Sequence, residues 1–140
     1  MDQGRQGDKL KIVVDMSIVA KWITPGEKWK RNARALAEDI AYRRVEAHAP
    51  SLMLYELASI ISKAMRAGKM NPADGAKALQ AIGFMGLIID GICWDDLSEI
   101  LKIAELTKLT VYDSVYVYLA RKMDCKLLTA DTKLRIKADP

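Results

Sequence analysis

Residues 11–17 read Lys-Ile-Val-Val-Asp-Met-Ser, a β-branched run that stops at a single carboxylate, Asp15. Three successive apolar residues of this kind suit a strand covered on both faces. Such strands belong to parallel sheets packed between helices, where ligands bind beyond the strand C-terminal ends. Asp15 is placed at that edge. Three more acids stand alone in apolar surroundings: Glu56 between Ser51 and Ser62, Asp113 between Leu109 and Ala120, and Asp131 between Leu127 and Thr132. Most acids of a soluble protein keep polar company on solvated faces. These four do not.

The chain has 140 residues, enough for one core and too few for two. Half of it is hydrophobic and over a quarter is charged, an ordinary soluble composition. No apolar run approaches the ~20 residues that span a bilayer, and residues 1–9 lack the apolar stretch of a signal peptide. The expectation is a polar tail over 1–9, one domain over 10–140, a cytoplasmic location and no membrane partner. Cys93 and Cys125 lie far apart and outside any metal-ligand spacing, so they read as buried free thiols of a reducing compartment. A net charge of +4 is compatible with a polyanionic partner.

Outward from the first strand, a short helix is expected over 17–23, closed by Thr24-Pro25-Gly26, and a second over about 27–44. Lys28, Lys30, Arg31, Arg34, Arg43 and Arg44 make the outer face of that helix basic, with Asp39 and Arg43 spaced as an i,i+4 pair. Beside an active site, Lys30, Arg31 and Arg34 would track phosphates; alone, they are a solvated face. Residues 45–49 form a weak strand candidate holding the lone His48, to which no role is given. A helix from Ser51 to about Arg66 carries Glu56, and Asn71-Pro72 starts another. A strand is expected over 87–89, extending toward 92–94, then a helix capped by a box of Asp96 and Glu99. A nearly all-apolar helix over 110–123 holds Asp113, and a last strand, 126–131, ends in Asp131. Strands alternating with helices predict a three-layer α/β/α domain on a mainly parallel sheet of four or five strands.

In that architecture all four acids can meet at one sheet edge. Two carboxylates about 5 Å apart repel by about 3 kcal/mol at an effective dielectric near 20, so a cluster takes up protons or binds a cation. All-oxygen ligands without histidine or cysteine select Mg²⁺ or Mn²⁺, ions that serve phosphodiester hydrolysis. Each acid also has a local structural explanation. Asp15 and Asp131 can cap the helices that follow them, Asp113 can complete a box with Thr110, and Glu56 can lie on an exposed helix face.

The run Val-Val-Asp15-Met-Ser17, then Pro50 with Tyr55-Glu56-Leu57-Ala58, then Leu109-Thr-Val-Tyr-Asp113-Ser, and finally Leu127-Leu-Thr-Ala-Asp131 resemble, in order, the motifs of PIN-domain ribonucleases. The small single-domain form resembles VapC toxins of toxin–antitoxin pairs. The resemblance implies a metal-dependent endoribonuclease whose first strand is central. Asp15, Glu56, Asp113 and the less constant Asp131 would then be catalytic and metal-binding, with Ser17 and Thr129 orienting ligands from behind. It also implies an RNA substrate, an antitoxin partner and a homodimer. Met16 departs from the small or hydroxyl residue usual there, and little chain follows the fourth acid where family members often add an edge strand.

A receiver domain needs a pair of acids at the first strand, and a haloacid-dehalogenase-type phosphatase needs a second aspartate where Ser17 stands; both are disfavoured. The remaining alternatives are a non-catalytic or partner-activated RNA-binding PIN domain, whose members usually lose acids, and a ribosomal-RNA processing nuclease.

Overall fold

The computed structural model describes residues 9–23 and 30–138. In chain order the elements are β1 (Leu10–Val14), α1 (Met16–Ile23), α2 (Lys30–Ala41), β2 (Val45–Pro50), α3 (Leu52–Arg66) and α4 (Pro72–Gly83). There follow β3 (Ile88–Asp90), a 3-10 turn (Trp94–Asp96), α5 (Leu97–Thr107), α6 (Val111–Lys122), β4 (Lys126–Leu128) and α7 (Thr132–Ala138). The four strands are parallel in the order β3-β2-β1-β4, with helices on both faces. The three-layer expectation is met with four strands among the described residues, and β1 lies inside the sheet.

The β-branched run of β1 explains this position. Val13 and Val14 are fully buried, inside a cluster with Val19, Ile40, Met53, Leu57, Ile82, Tyr116 and Leu119. A smaller cluster of Ile103, Leu109, Val117 and Leu134 joins α5, α6 and α7. Because every strand runs the same way, β1 and β2 deliver Asp15 and the start of α3 to one edge, and β4 leads to α7 there.

His48 has a structural explanation. Buried on β2, it bonds Asp90 Oδ2 at the end of β3 through Nδ1 (2.8 Å) and Glu46 Oε2 through Nε2 (2.9 Å). The buried ring is thus satisfied, and strands β2 and β3 are tied by side chains as well as backbone.

Several local expectations are corrected. The strand near residue 88 ends at Asp90, and Trp94–Asp96 is a 3-10 turn. Asp96 does not cap α5 with Glu99. Its carboxylate accepts from the Cys93 amide (2.7 Å) and from the Tyr118 hydroxyl, which closes the turn instead. That carboxylate pushes the Tyr118 phenol up to about 12. Asp39 pairs with Arg44 (2.8 Å), because Arg43 takes a left-handed φ of 60° and ends the helical turn. Strand β4 stops at Leu128, so Asp131 belongs to the following helix. The two cysteines are free, but Cys93 is exposed and Cys125 half-buried. The tail over 1–8, the 24–26 turn and the first residues of the second helix lie outside the described residues. Among the described residues no helix is long and apolar enough to cross a membrane.

Helix α4 approaches α3 through Gly75, where an added Cβ would lie 2.8 Å from Ile61 Cγ2 and 3.1 Å from Met65 Sδ. The β-branched Ile61 cannot swing away freely. Gly75→Ala therefore gains about 1 kcal/mol of helix propensity and loses about 1–3 kcal/mol to overpacking. A net loss is expected, read as a lower urea midpoint at unchanged slope. A raised midpoint would show that α4 can slide off α3.

Candidate active site

Asp15 follows β1 directly and is 5% exposed. Its backbone amide donates to the Leu128 carbonyl (3.1 Å), which continues the β1–β4 pairing by one residue. The side chain is held from both strands. The Ser17 amide donates to Oδ1 and the Thr129 hydroxyl donates to Oδ2. The Ser17 and Thr129 hydroxyls lie 3.3 Å apart, and the Ala130 amide donates to Ser17 Oγ (2.9 Å). Ser17 and Thr129 are thus placed behind Asp15, where they fix its orientation.

Thr129 also reaches the fourth acid, since its hydroxyl oxygen accepts from the Asp131 amide (2.9 Å). Asp131 is exposed, and its Oδ1 accepts from the Lys133 (2.9 Å) and Leu134 (3.3 Å) amides at the start of α7. The capping reading of Asp131 is therefore right as local structure. It leaves the second carboxylate oxygen uncommitted to the cap.

Asp113 is in the first turn of α6, where its amide donates to the hydroxyl of the N-cap Thr110 (3.0 Å). It is half-buried, and desolvation raises its carboxyl above the usual value, helped by the charges of Asp131 and Asp15; Thr110 and Lys133 partly oppose this. Glu56, in the second turn of α3, is also raised, chiefly by desolvation and then by Asp113 and Asp15. The four acids share one field. Asp113 and Asp15 both act on Glu56, and Asp131 and Asp15 both act on Asp113.

Reading acids alone missed Tyr116. Its ring is fully buried and its hydroxyl donates to Glu56 Oε1 (2.5 Å), opposing the rise of that carboxyl. Burial and the neighbouring carboxylates push the phenol itself far above its ordinary value. One signal was available: Tyr116 follows Asp113 by three residues, so both lie on one side of α6.

Among the described residues no three of His, Cys, Asp and Glu stand together as a ready metal-ligand group. Glu56 and Asp113 are half-buried, and Asp131 is exposed. The donor set of the four acids is hard oxygen throughout, and the carboxyls of Glu56 and Asp113 are raised first by burial and then by neighbouring acids, whose charge a divalent cation would offset. The residues fit such an ion chemically. Of the expected basic residues, Arg31 and Arg34 are exposed on α2; Lys30 begins that helix, and its side chain lies outside the described residues.

The PIN domain family profile matches residues 12–140, and the chain belongs to that family. Ribonuclease VapC3 of Pyrobaculum aerophilum is 31% identical over 130 residues, covering 91% of this chain and 95% of the relative. The chain is a VapC-like member, as the ordered motifs implied. Its fold resembles the crystal structure of PAE2754 from P. aerophilum (TM-score 0.69, 22% identity, 93% and 86% of the two chains covered). It also resembles VapC20 of Mycobacterium tuberculosis, described as a sarcin-ricin loop cleaving toxin (TM-score 0.68, 14% identity, 89% and 93% covered). A third likeness is FitAcB from Neisseria gonorrhoeae (TM-score 0.63, 14% identity, 91% and 93% covered).

The raised carboxyls make a stability prediction. A group whose folded pKa is raised stabilises the fold while protonated. That contribution is lost as pH climbs from the ordinary 4.5 of Glu56 and 3.8 of Asp113 through the raised folded values. In EDTA, Glu56→Gln and Asp113→Asn should each raise the melting midpoint at about pH 7 by a few degrees, and shrink the fall in stability as pH rises above the ordinary carboxyl values. A lowered midpoint would show that these acids are not under electrostatic strain.

Proposed function

We propose that this chain is a divalent-metal-dependent endoribonuclease, the toxin of a type II toxin–antitoxin pair. The observation that carries the reading is Asp15: a buried carboxyl, fixed by Thr129 and Ser17, adds its charge to two half-buried acids whose charged forms burial already disfavours. A purely structural cluster has no reason to hold that charge together. The relative named ribonuclease VapC3 supports the activity, and the toxin VapC20 supports RNA as the substrate class. An antitoxin partner, a homodimer and a cytoplasmic location follow by the same likeness.

Asp15, Glu56 and Asp113 would hold Mg²⁺ or Mn²⁺, with Asp131 at the outer side. When bound, the ion supplies an activated water and screens the charge of the leaving oxygen. The chain does the positioning. Thr129 and Ser17 keep both Asp15 oxygens in fixed directions, and Tyr116 occupies Glu56 Oε1, which leaves Oε2 without that bond. Arg31 and Arg34 on α2 supply positive charge for the flanking backbone of the polyanion.

Fragment release from end-labelled RNA, with Mn²⁺ or Mg²⁺ against an EDTA control, tests the reading. Asp15→Asn and Asp113→Asn should each lower the rate about a hundredfold or more without loss of folding. Tyr116→Phe should keep the metal requirement and lose less, about tenfold, because it frees Glu56 without removing a ligand. Wild-type rates in Asp113→Asn would overturn the assignment. No cleavage by folded wild type across several RNAs and both metals would favour the non-catalytic or partner-activated domain.

A second measurement concerns α2. Changing Arg31 and Arg34 together to glutamine should flatten the dependence of log K on log salt by about 1.4, at ~0.7 per phosphate contact on a single strand. An unchanged slope would make this a solvated face only.

A further inference from the structure

Lined in part by Thr129, a cavity of about 280 Å³ lies between α1, α2 and the segment joining β4 to α7. Its walls are of two kinds. Ile18, Ala33, Leu36 and Leu128 give apolar surface, while Lys21, Asn32, Thr132 and Arg135 give polar and cationic groups; no acid lines it among the described residues. The side chains of Asn32, Thr132 and Arg135 have no hydrogen-bond or ion partner among the described residues. A cavity of similar size bounded by Met53, Leu57, Leu79 and Ile82 has only apolar walls. The first is therefore distinguished by chemistry, not by size.

Apolar walls with a few unpaired polar groups suit a flat, partly polar ring. The Asn32 amide offers a donor and an acceptor side by side, the pattern that reads the edge of a nucleobase. Arg135 and Lys21 supply charge for an attached phosphate. The same two cations oppose entry of a cationic peptide side chain. The volume admits one ring system, not a folded oligonucleotide. Thr129 lines the cavity and bonds Asp15, so an occupant lies within one residue's reach of the carboxylates.

We propose that this cavity is a nucleotide subsite that takes the base adjacent to the cleaved phosphate, with Asn32 reading its edge and Arg135 holding its phosphate. The proposal rests on the RNA-cleaving reading of the neighbouring acids, and it makes cleavage base-selective at one flanking position.

The test is a titration of isotope-labelled full-length protein in EDTA with 5′-AMP, 5′-GMP, 5′-CMP and 5′-UMP, followed by amide chemical shifts. Shifts are expected at Ile18, Asn32, Leu128 and Ala130, with one base binding about fivefold or more tighter than the weakest. Asn32→Ala should abolish that preference, and Arg135→Ala should weaken all four nucleotides by about fivefold. Both positions are exposed, so an otherwise unchanged spectrum verifies the fold. Absence of shifts at these residues, or equal shifts from inorganic phosphate alone, overturns the subsite. Because no metal or turnover enters the titration, RNA cleavage without nucleotide binding removes only the subsite. Nucleotide binding by a chain that cleaves no RNA removes the nuclease reading instead.

Discussion

A carboxyl group as deeply placed as Asp15 must have its oxygens satisfied, and the chain does this by joining two strands far apart in sequence. The donors come from Ser17, just beyond β1, and from Thr129, just beyond β4. The Ser17 bond is local, but the Thr129 bond does not exist until β4 pairs with β1 in the register that sets Val14 against Leu128. A slip of one residue would turn Thr129 to the other side and leave the carboxyl buried without its donor. Site and sheet therefore form together. Because the same hydroxyl accepts from the Asp131 amide, the position of the fourth acid is tied to that of the first.

Glu56 and Asp113 are held differently. Each stands on a helix whose other face fills the core, so burial of Met53 and Leu57 on α3, and of Tyr116 and Leu119 on α6, fixes where the acids point. Tyr116 does two things at once: its ring packs and its hydroxyl restrains Glu56. Packing therefore supplies the energy that holds unfavourable charges near each other. Stability is traded here for an electrostatic arrangement, a trade expected at functional sites.

Much of this was legible because its causes are local. A β-branched run ending in an acid identifies a central parallel strand, and a lone acid on an apolar stripe identifies a helix face turned inward. The losses came where a residue's partner is remote. Tyr116 reads as core within an apolar helix, and its bond to Glu56 crosses 60 positions. Asp96 sits in a sequence that fits a capping box, but Tyr118 and the Cys93 amide take its oxygens first. Arg43 was placed in a helix because side-chain pattern carries no information about a positive φ three residues past the last buried isoleucine, Ile40. The cavity that Thr129 lines is invisible in sequence for the same reason, since its walls come from residues 18 to 135.

The charge distribution ties these features to the chemistry. The chain is net positive, +4, yet Asp15, Glu56, Asp113 and Asp131 act on one another's charge. Fields from exposed charges fade within a Debye length of about 8 Å at physiological salt, so the basic face of α2 cannot cancel a carboxylate rim at a distance. It can hold flanking phosphates. The rim itself needs its charge offset in place, by protons or by a cation, before a phosphodiester can sit against it. The raised carboxyls of Glu56 and Asp113 come first from burial and then from the charge of neighbouring acids. If the chain works as proposed, a divalent ion at these acids would lessen their repulsion of a phosphodiester, so the metal would serve RNA binding there as well as cleavage.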